Sequence, residues 1–313
     1  MDLVGAYYRM YVIRLFEETC MALHRDGDIT GSIHLCIGQE AIPVGGCAAL
    51  DDGDSLTGTY RGHGWAIARG VPLEQLFAEL MGRDSDLCGG RGGSAYLSSS
   101  AHGFMGENSI VGAGVPMAVG AALAARQARE GAVSLVAIGD GALNQGAVHE
   151  ALNLAAVFSL PLVVVIENNR YSEMTPIGEM VKVEPLSRRA EAYGMTGMTV
   201  DGNDVEAVGS AVAFAVRSAR DGQGPVLVEA LTERLVGHYS GDVQHYRPKG
   251  EVEAAREREP LARPRERVGA NDDLGRALKE AETKARADVQ MALDVARAFP
   301  LPDVESVKEH LYA

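Results

Sequence analysis

The chain has 313 residues, 46% of them hydrophobic, with 37 glycines and a formal net charge of -14 at pH 7. That length buries one large core or two ordinary ones, and the glycines point to many tight strand-to-helix turns. The acidity argues against a nucleic-acid surface, because phosphate binding needs a net basic face, and no run reaches the roughly 18 apolar residues of a membrane span.

In chain order, the stretch to about Leu50 reads as helix, loop, helix. Tyr7, Tyr11, Leu15 and the pair Cys20/Met21 follow helical spacing, and Gly27 to Gly38, with His34 inside it, interrupts them. Arg9, Arg14 and two glutamates fall in helical phase where a signal peptide would have an apolar core, so a soluble, cytoplasmic location is expected. Cys20, Cys36, Cys47 and Cys88 form no CxxC pair and read as buried thiols, not as a disulfide framework or zinc site. From Ala132 the pattern becomes βαβ: VSLVAIG ends in Gly-Asp-Gly, Ala142 to Leu160 has helical periodicity, and PLVVVIENN reads as a second buried strand. Two buried strands joined by a helix imply a parallel sheet with a right-handed crossover. A helix at Val205–Arg220 and a strand at Pro225–Leu231 continue the alternation. After Tyr246 the composition turns to Arg, Glu and Pro, and Leu274–Arg297 reads as an alanine-rich helix, expected to be solvated or to contact another subunit. The expected architecture is one α/β domain over 1–313, a doubly wound, mostly parallel sheet with helical N- and C-terminal segments, the tail starting near 250.

The strongest chemical feature is Gly139-Asp140-Gly141 followed, after the 26 residues Ala142–Glu167, by Asn168-Asn169. That separation is a helix plus a return strand, so Asp and Asn emerge at the same carboxyl edge of neighbouring parallel strands, where open α/β sheets bind ligands. One carboxylate, one amide oxygen and a nearby carbonyl form a hard oxygen set suited to Mg²⁺, whose remaining ligands come from phosphates and water. The flanking glycines allow close backbone approach, and a helix beginning near Ala142 can aim N–H groups at phosphate oxygens. A dinucleotide fold would want GxGxxG after its first strand, but Gly112-Ala113-Gly114-Val115-Pro116 puts proline where the helix should begin, and no Walker motif is present.

The stretch GDGALNQGAVHEALNLAAVFSLPLVVVIENNRYSEMT resembles the thiamine-diphosphate motif of the alpha subunits of 2-oxo acid dehydrogenase first components, of the pyruvate and acetoin dehydrogenase type. The resemblance runs from YRMYVIRLFEE to the final LYA and includes HLCIGQEA, YRGHG, GRGGSAYL and IVGAGVPMAVGAALA in family order. It implies the thiamine-diphosphate-binding fold, and thiamine diphosphate and Mg²⁺ as cofactors. Asp140 and Asn169 match metal side-chain ligands and Tyr171 the residue giving a backbone carbonyl. Gly141, Ala142, Tyr60 and Arg61 match cofactor contacts, a guanidinium suiting a diphosphate. Val111 matches the apolar residue that props the cofactor between its rings, and Ser109 stands among the cofactor contacts where the family more often has glycine. His34 and His238, the latter on a loop covering the cofactor, match active-site histidines able to handle protons near neutrality, and His63 is a further candidate.

The reaction implied is cleavage of a carbon–carbon bond next to a carbonyl, in a 2-oxo acid such as pyruvate or in acetoin, with transfer of the product unit to a lipoyl acyltransferase. Acetoin is favoured slightly by the GHY-x-GD-x-Q loop. The resemblance also implies a beta subunit that supplies part of the site, in a heterotetramer of two alpha and two beta chains. Two alternatives stay open: a non-catalytic assembly subunit, and a thiamine-diphosphate-dependent decarboxylase or ligase without a lipoyl partner. Val236 stands where relatives usually carry Arg or His, which bears on substrate preference. Tyr239 stands where animal pyruvate enzymes have a phosphorylated serine, so that switch is expected to be absent. Pro264 is expected to break a helix before it.

Overall fold

The computed structural model describes residues 1–128, 131–268 and 272–310; the closing LYA of the family resemblance lies outside the described residues. The first half runs α1 (Leu3–Asp26), α2 (Ala41–Cys47), β1 (Ser55–Thr57), α3 (His63–Arg69), α4 (Leu73–Leu80), β2 (Phe104–Gly106), α5 (Gly114–Ala128) and β3 (Ser134–Gly139). Then come α6 (Gly146–Val157), β4 (Leu162–Asn168), the short strands β5 (Tyr171–Ser172) and β6 (Thr175–Pro176), α7 (Ile177–Met180), β7 (Thr196–Asp201), α8 (Val205–Arg220), β8 (Val226–Leu231), α9 (Glu251–Arg256), α10 (Ala262–Glu266) and α11 (Asp272–Arg297). Among the described residues no helix is long and apolar enough to cross a membrane.

Six strands form one sheet in the order β2-β1-β3-β4-β8-β7, and every pairing is parallel. β3 and β4 run in register from Ser134↔Leu162 to Gly139↔Glu167, and alternate residues point to opposite faces. Leu135, Ala137, Val163 and Val165 enter a core with α1 and α8, while Val136, Ile138, Val164 and Ile166 enter a second core under α5 and α6. Burial on both faces explains why β4 reads as an unbroken apolar run.

Helix α1 is capped by Asp2, whose carboxylate accepts from Val4 N and Gly5 N at 3.1 and 3.0 Å, and ends at Gly27, left-handed at φ 86. Its apolar face packs against α11, and Tyr7 Oη donates to Glu282 at 2.5 Å. Helix α11 is therefore more than a solvated tail: Leu278, Ala281, Ala285, Val289, Leu293 and Ala296 are buried in the core, because small alanines let two long helices approach closely. The other corrections are local. The helix expected from Ala142 starts at Gly146, after a 3-10 turn over Asp140–Asn144. Strands β1 and β2 are three residues each and β7 has no apolar alternation, so the sequence pattern does not announce them. Pro264 sits in the first turn of α10, where its missing N–H costs nothing, and the chain does break before it. Cys20, Cys36 and Cys47 are buried free thiols and Cys88 is half-buried.

Candidate functional site

The chain leaving β1 leads to β2 on one side and the chain leaving β3 leads to β4 on the other, so a crevice opens at the carboxyl ends of β1, β3 and β4. A cavity of about 350 Å³ lies there. His34, Tyr60, Arg61, Ser109, Val111, Asp140, Gly141, Ala142, Asn169, Tyr171 and His238 all line it, brought together from six separate stretches of chain.

At the inner end, Asp140 is 2% exposed. Its Oδ1 accepts from Gly141 N at 2.7 Å, while Oδ2 is buried without a hydrogen-bond partner. Burial pushes its carboxyl up to about 6 against nearby backbone N–H groups that pull it down. Asn169 Oδ1 accepts from Tyr171 N at 3.2 Å, and its Nδ2 donates to Gln39 Oε1 at 3.0 Å. Arg170, at φ 67, bends the chain sharply between them. An orphaned carboxylate oxygen, with an amide oxygen on the same wall, fits a small hard cation, which would supply the missing partner and offset the desolvation. Among the described residues no group of three or more His, Cys, Asp and Glu could hold a metal, so a cation here would need ligands from a bound phosphate and water. Gly141 is required: a Cβ there would lie 2.1 Å from Ser172 Oγ, so the loop carrying Ser172 rests directly on the turn after β3.

Arg61 is 5% exposed and spans the middle of the cleft, donating to Leu35 O at 2.7 Å and His238 O at 2.9 Å. The rings of His34, Tyr60 and His238 gather beside it, His34 lying 4.5 Å from Tyr60 and 4.9 Å from His238 between centroids. Burial, reinforced by the Arg61 charge, lowers His34 to about 3 and His238 to about 4. Both imidazoles are therefore neutral near pH 7, each with one donor and one acceptor nitrogen, and His34 Nδ1 has no partner. The loop bearing His238 is folded by Asp242, whose Oδ2 accepts from His238 N and Tyr246 Oη at 2.5 and 2.6 Å. Arg234 donates to Tyr246 Oη at 2.7 Å, and Arg247 donates to Arg234 O at 2.7 Å. Val236 packs against the core at the root of this loop.

His63 is placed elsewhere. It is fully buried behind the cleft wall, with Nδ1 2.8 Å from Glu17 Oε2 and Nε2 2.8 Å from Ser94 Oγ. Because His63 opens α3, two residues after Arg61, its side chain turns away from the ligand side. Burial alone would lower its pKa, but the Glu17 ion pair overrides that and raises it to about 9. Among the further residues that line the cleft and that sequence reading missed are Gln39, Glu167 and Arg234. Gln39 sits inside the GQEA block and Glu167 two residues before Asn169, so strand alternation from Asn169 could have found the latter.

The family model described as "Dehydrogenase E1 component" matches residues 8–305. The chain is 40% identical over 307 residues to the alpha subunit of acetoin:2,6-dichlorophenolindophenol oxidoreductase of Bacillus subtilis, covering 98% of this chain and 92% of that protein. The subunit of the same name from Cupriavidus necator is 39% identical over 325 residues, covering 99% and 94%. The pyruvate dehydrogenase E1 component subunit alpha of Rhizobium meliloti is 40% identical over 311 residues, covering 98% and 88%.

Proposed function

The chain belongs to the dehydrogenase E1 component family, and on that premise we propose that its cleft binds thiamine diphosphate with Mg²⁺ and, beside a beta subunit, cleaves the carbon–carbon bond next to a substrate carbonyl. It is a thiamine-diphosphate-dependent alpha subunit of the acetoin and pyruvate dehydrogenase kind. The observation that carries the site assignment is the buried, unpartnered Oδ2 of Asp140 on the same wall as Asn169.

Asp140, Asn169 and the Tyr171 carbonyl would hold the metal, and Arg61 and Tyr60, with Gly141 and Ala142, the diphosphate. Ser109 and Val111 would flank the cofactor. When bound, the cofactor supplies the electron sink for the bond cleavage, and the protein supplies orientation and proton handling. His34 and His238, neutral and aimed into the cleft, are suited to pass protons to and from the substrate oxygen. The aromatic wall of Tyr60 and the two imidazoles excludes water from that region.

The complete unit is an assembly of two alpha and two beta chains in the cytoplasm, handing its product to a lipoyl acyltransferase. Acetoin is the favoured substrate, because the loop reads GHY-x-GD-x-Q and two of the near-full-length relatives are acetoin oxidoreductase subunits. Calorimetric titration of the alpha–beta complex with thiamine diphosphate tests the reading. Binding that requires Mg²⁺, followed by turnover of acetoin above that of pyruvate or branched 2-oxo acids, is the expected result; absence of metal-dependent binding would sink the assignment.

A further inference from the structure

The turn Asp140–Asn144 brings Asp140 and the main chain of Gly141 and Ala142 to the cleft, yet it is not the first turn of the helix that follows. Gln145 is extended (ψ 133), so the chain breaks between the 3-10 turn and α6, and no side chain caps either piece. A short 3-10 turn has weak internal hydrogen bonding and needs support from outside. On the cleft side that support is Ser172, packed against Gly141.

On the opposite side stands Arg189, from the 3-10 segment Leu186–Tyr193 that precedes β7. Its Nη1 donates to Leu143 O at 2.6 Å and its Nη2 to Asn144 Oδ1 at 2.7 Å, a two-pronged grip on the residues just before the break. Asn144 is tied in turn to Met180 O at 3.2 Å through its Nδ2, so α7 joins the same brace. The planar fork of a guanidinium suits two neighbouring acceptors, which a lysine cannot span. Arg189 is half-buried and makes no ion pair among the described residues.

We propose that Arg189 is a positioning residue for cofactor binding: it holds the Asp140–Asn144 turn from behind, so that Asp140, Gly141 and Ala142 keep their places at the diphosphate end of the cleft. The proposal rests on the cofactor reading above and extends it to a residue that touches no ligand. Arg189 acts on affinity and not on chemistry, so its loss raises the dissociation constant for thiamine diphosphate while turnover at saturating cofactor stays the same.

The test is calorimetric titration of the alpha–beta complex with thiamine diphosphate and Mg²⁺, for the wild type and for Arg189→Ala and Arg189→Lys, alongside the melting temperature of each without ligand. The alanine variant should bind about tenfold more weakly and the lysine variant about threefold, with kcat unchanged at saturation and partial rescue of the alanine variant by millimolar guanidinium. Wild-type affinity in the alanine variant would overturn the proposal. If that variant does not assemble, the lysine variant decides: weaker binding at an unchanged unliganded melting temperature supports it, and unchanged binding overturns it. A wild-type complex that binds no cofactor would instead remove the underlying reading of the cleft.

Discussion

At the inner end and middle of the cleft Asp140, Asn169 and Arg61 are buried and held by named hydrogen bonds, whereas along its outer lip Ile110 and Val111 stand 72% and 43% exposed. Both ends belong to one cavity. A diphosphate and a divalent cation are gripped by charge, and charge is effective only where the partners are fixed in advance and water is thin. On the proposed reading the outer end would meet its ligand through shape, which a second protein surface can complete. Bare apolar side chains at the lip are what an alpha subunit awaiting its beta partner would leave uncovered.

Substitutions that separate the two ends sharpen this contrast. Asp140→Ala should have the largest effect on binding, exceeding the roughly 10–100-fold that loss of an outer partner costs a metal site. A calorimetric titration still giving wild-type affinity with Mg²⁺ would contradict the metal assignment.

Next in size is His63→Gln, behind the closed end, which leaves Glu17 buried without its cation and should cost about 3–5 kcal/mol at pH 7. The raised pKa of His63 means that its contribution is complete below about 6.5, its unfolded value, and is lost as the pH rises through about 9. Burial pushes Glu17 up, but the same pair more than reverses this, so its share is lost instead as the pH falls through that lowered value. Denaturant melts at pH 7 and pH 10 check this: the gap between wild type and variant should narrow at the higher pH, and a constant gap would refute the ion-pair origin.

Gly141→Ala places a methyl 2.1 Å from Ser172 Oγ and should destabilise the unliganded chain by roughly 1–3 kcal/mol while weakening cofactor binding. A variant with unchanged melting temperature would show that the two loops part more easily than their packing implies. Smallest in the isolated chain is Val111→Ala, expected to move stability by less than about 0.5 kcal/mol because half the side chain is already in solvent. Its effect should emerge in turnover of the complex, and equal activity there would break the contrast between the ends.

Much of this was readable before any coordinates. Strand β4, buried on both faces, and helix α8, with its apolar stripe, announce themselves because local pattern and tertiary environment agree. Asp140 and Asn169 meet because a helix plus a strand separates them. Strand β7, whose residues are mostly exposed or half-buried, has no apolar alternation to read, and β1 and β2 are three residues each. His63, a further candidate from the sequence, lies away from the cleft for a different reason: its neighbours Tyr60 and Arg61 do line the cleft, but α3 begins at His63 and turns its side chain the other way. Arg189 carries no local sign at all, since what it holds lies 46 residues earlier in the chain.

The pairing of α1 with α11 also sets an order of events during synthesis. Helix α1 emerges from the ribosome with the apolar face that α11 will cover, and about 270 residues must follow before α11 is complete. At roughly 5–20 residues per second this face waits for ten seconds or more. A chain that ended before α11 would therefore leave that face of α1 without its α11 cover.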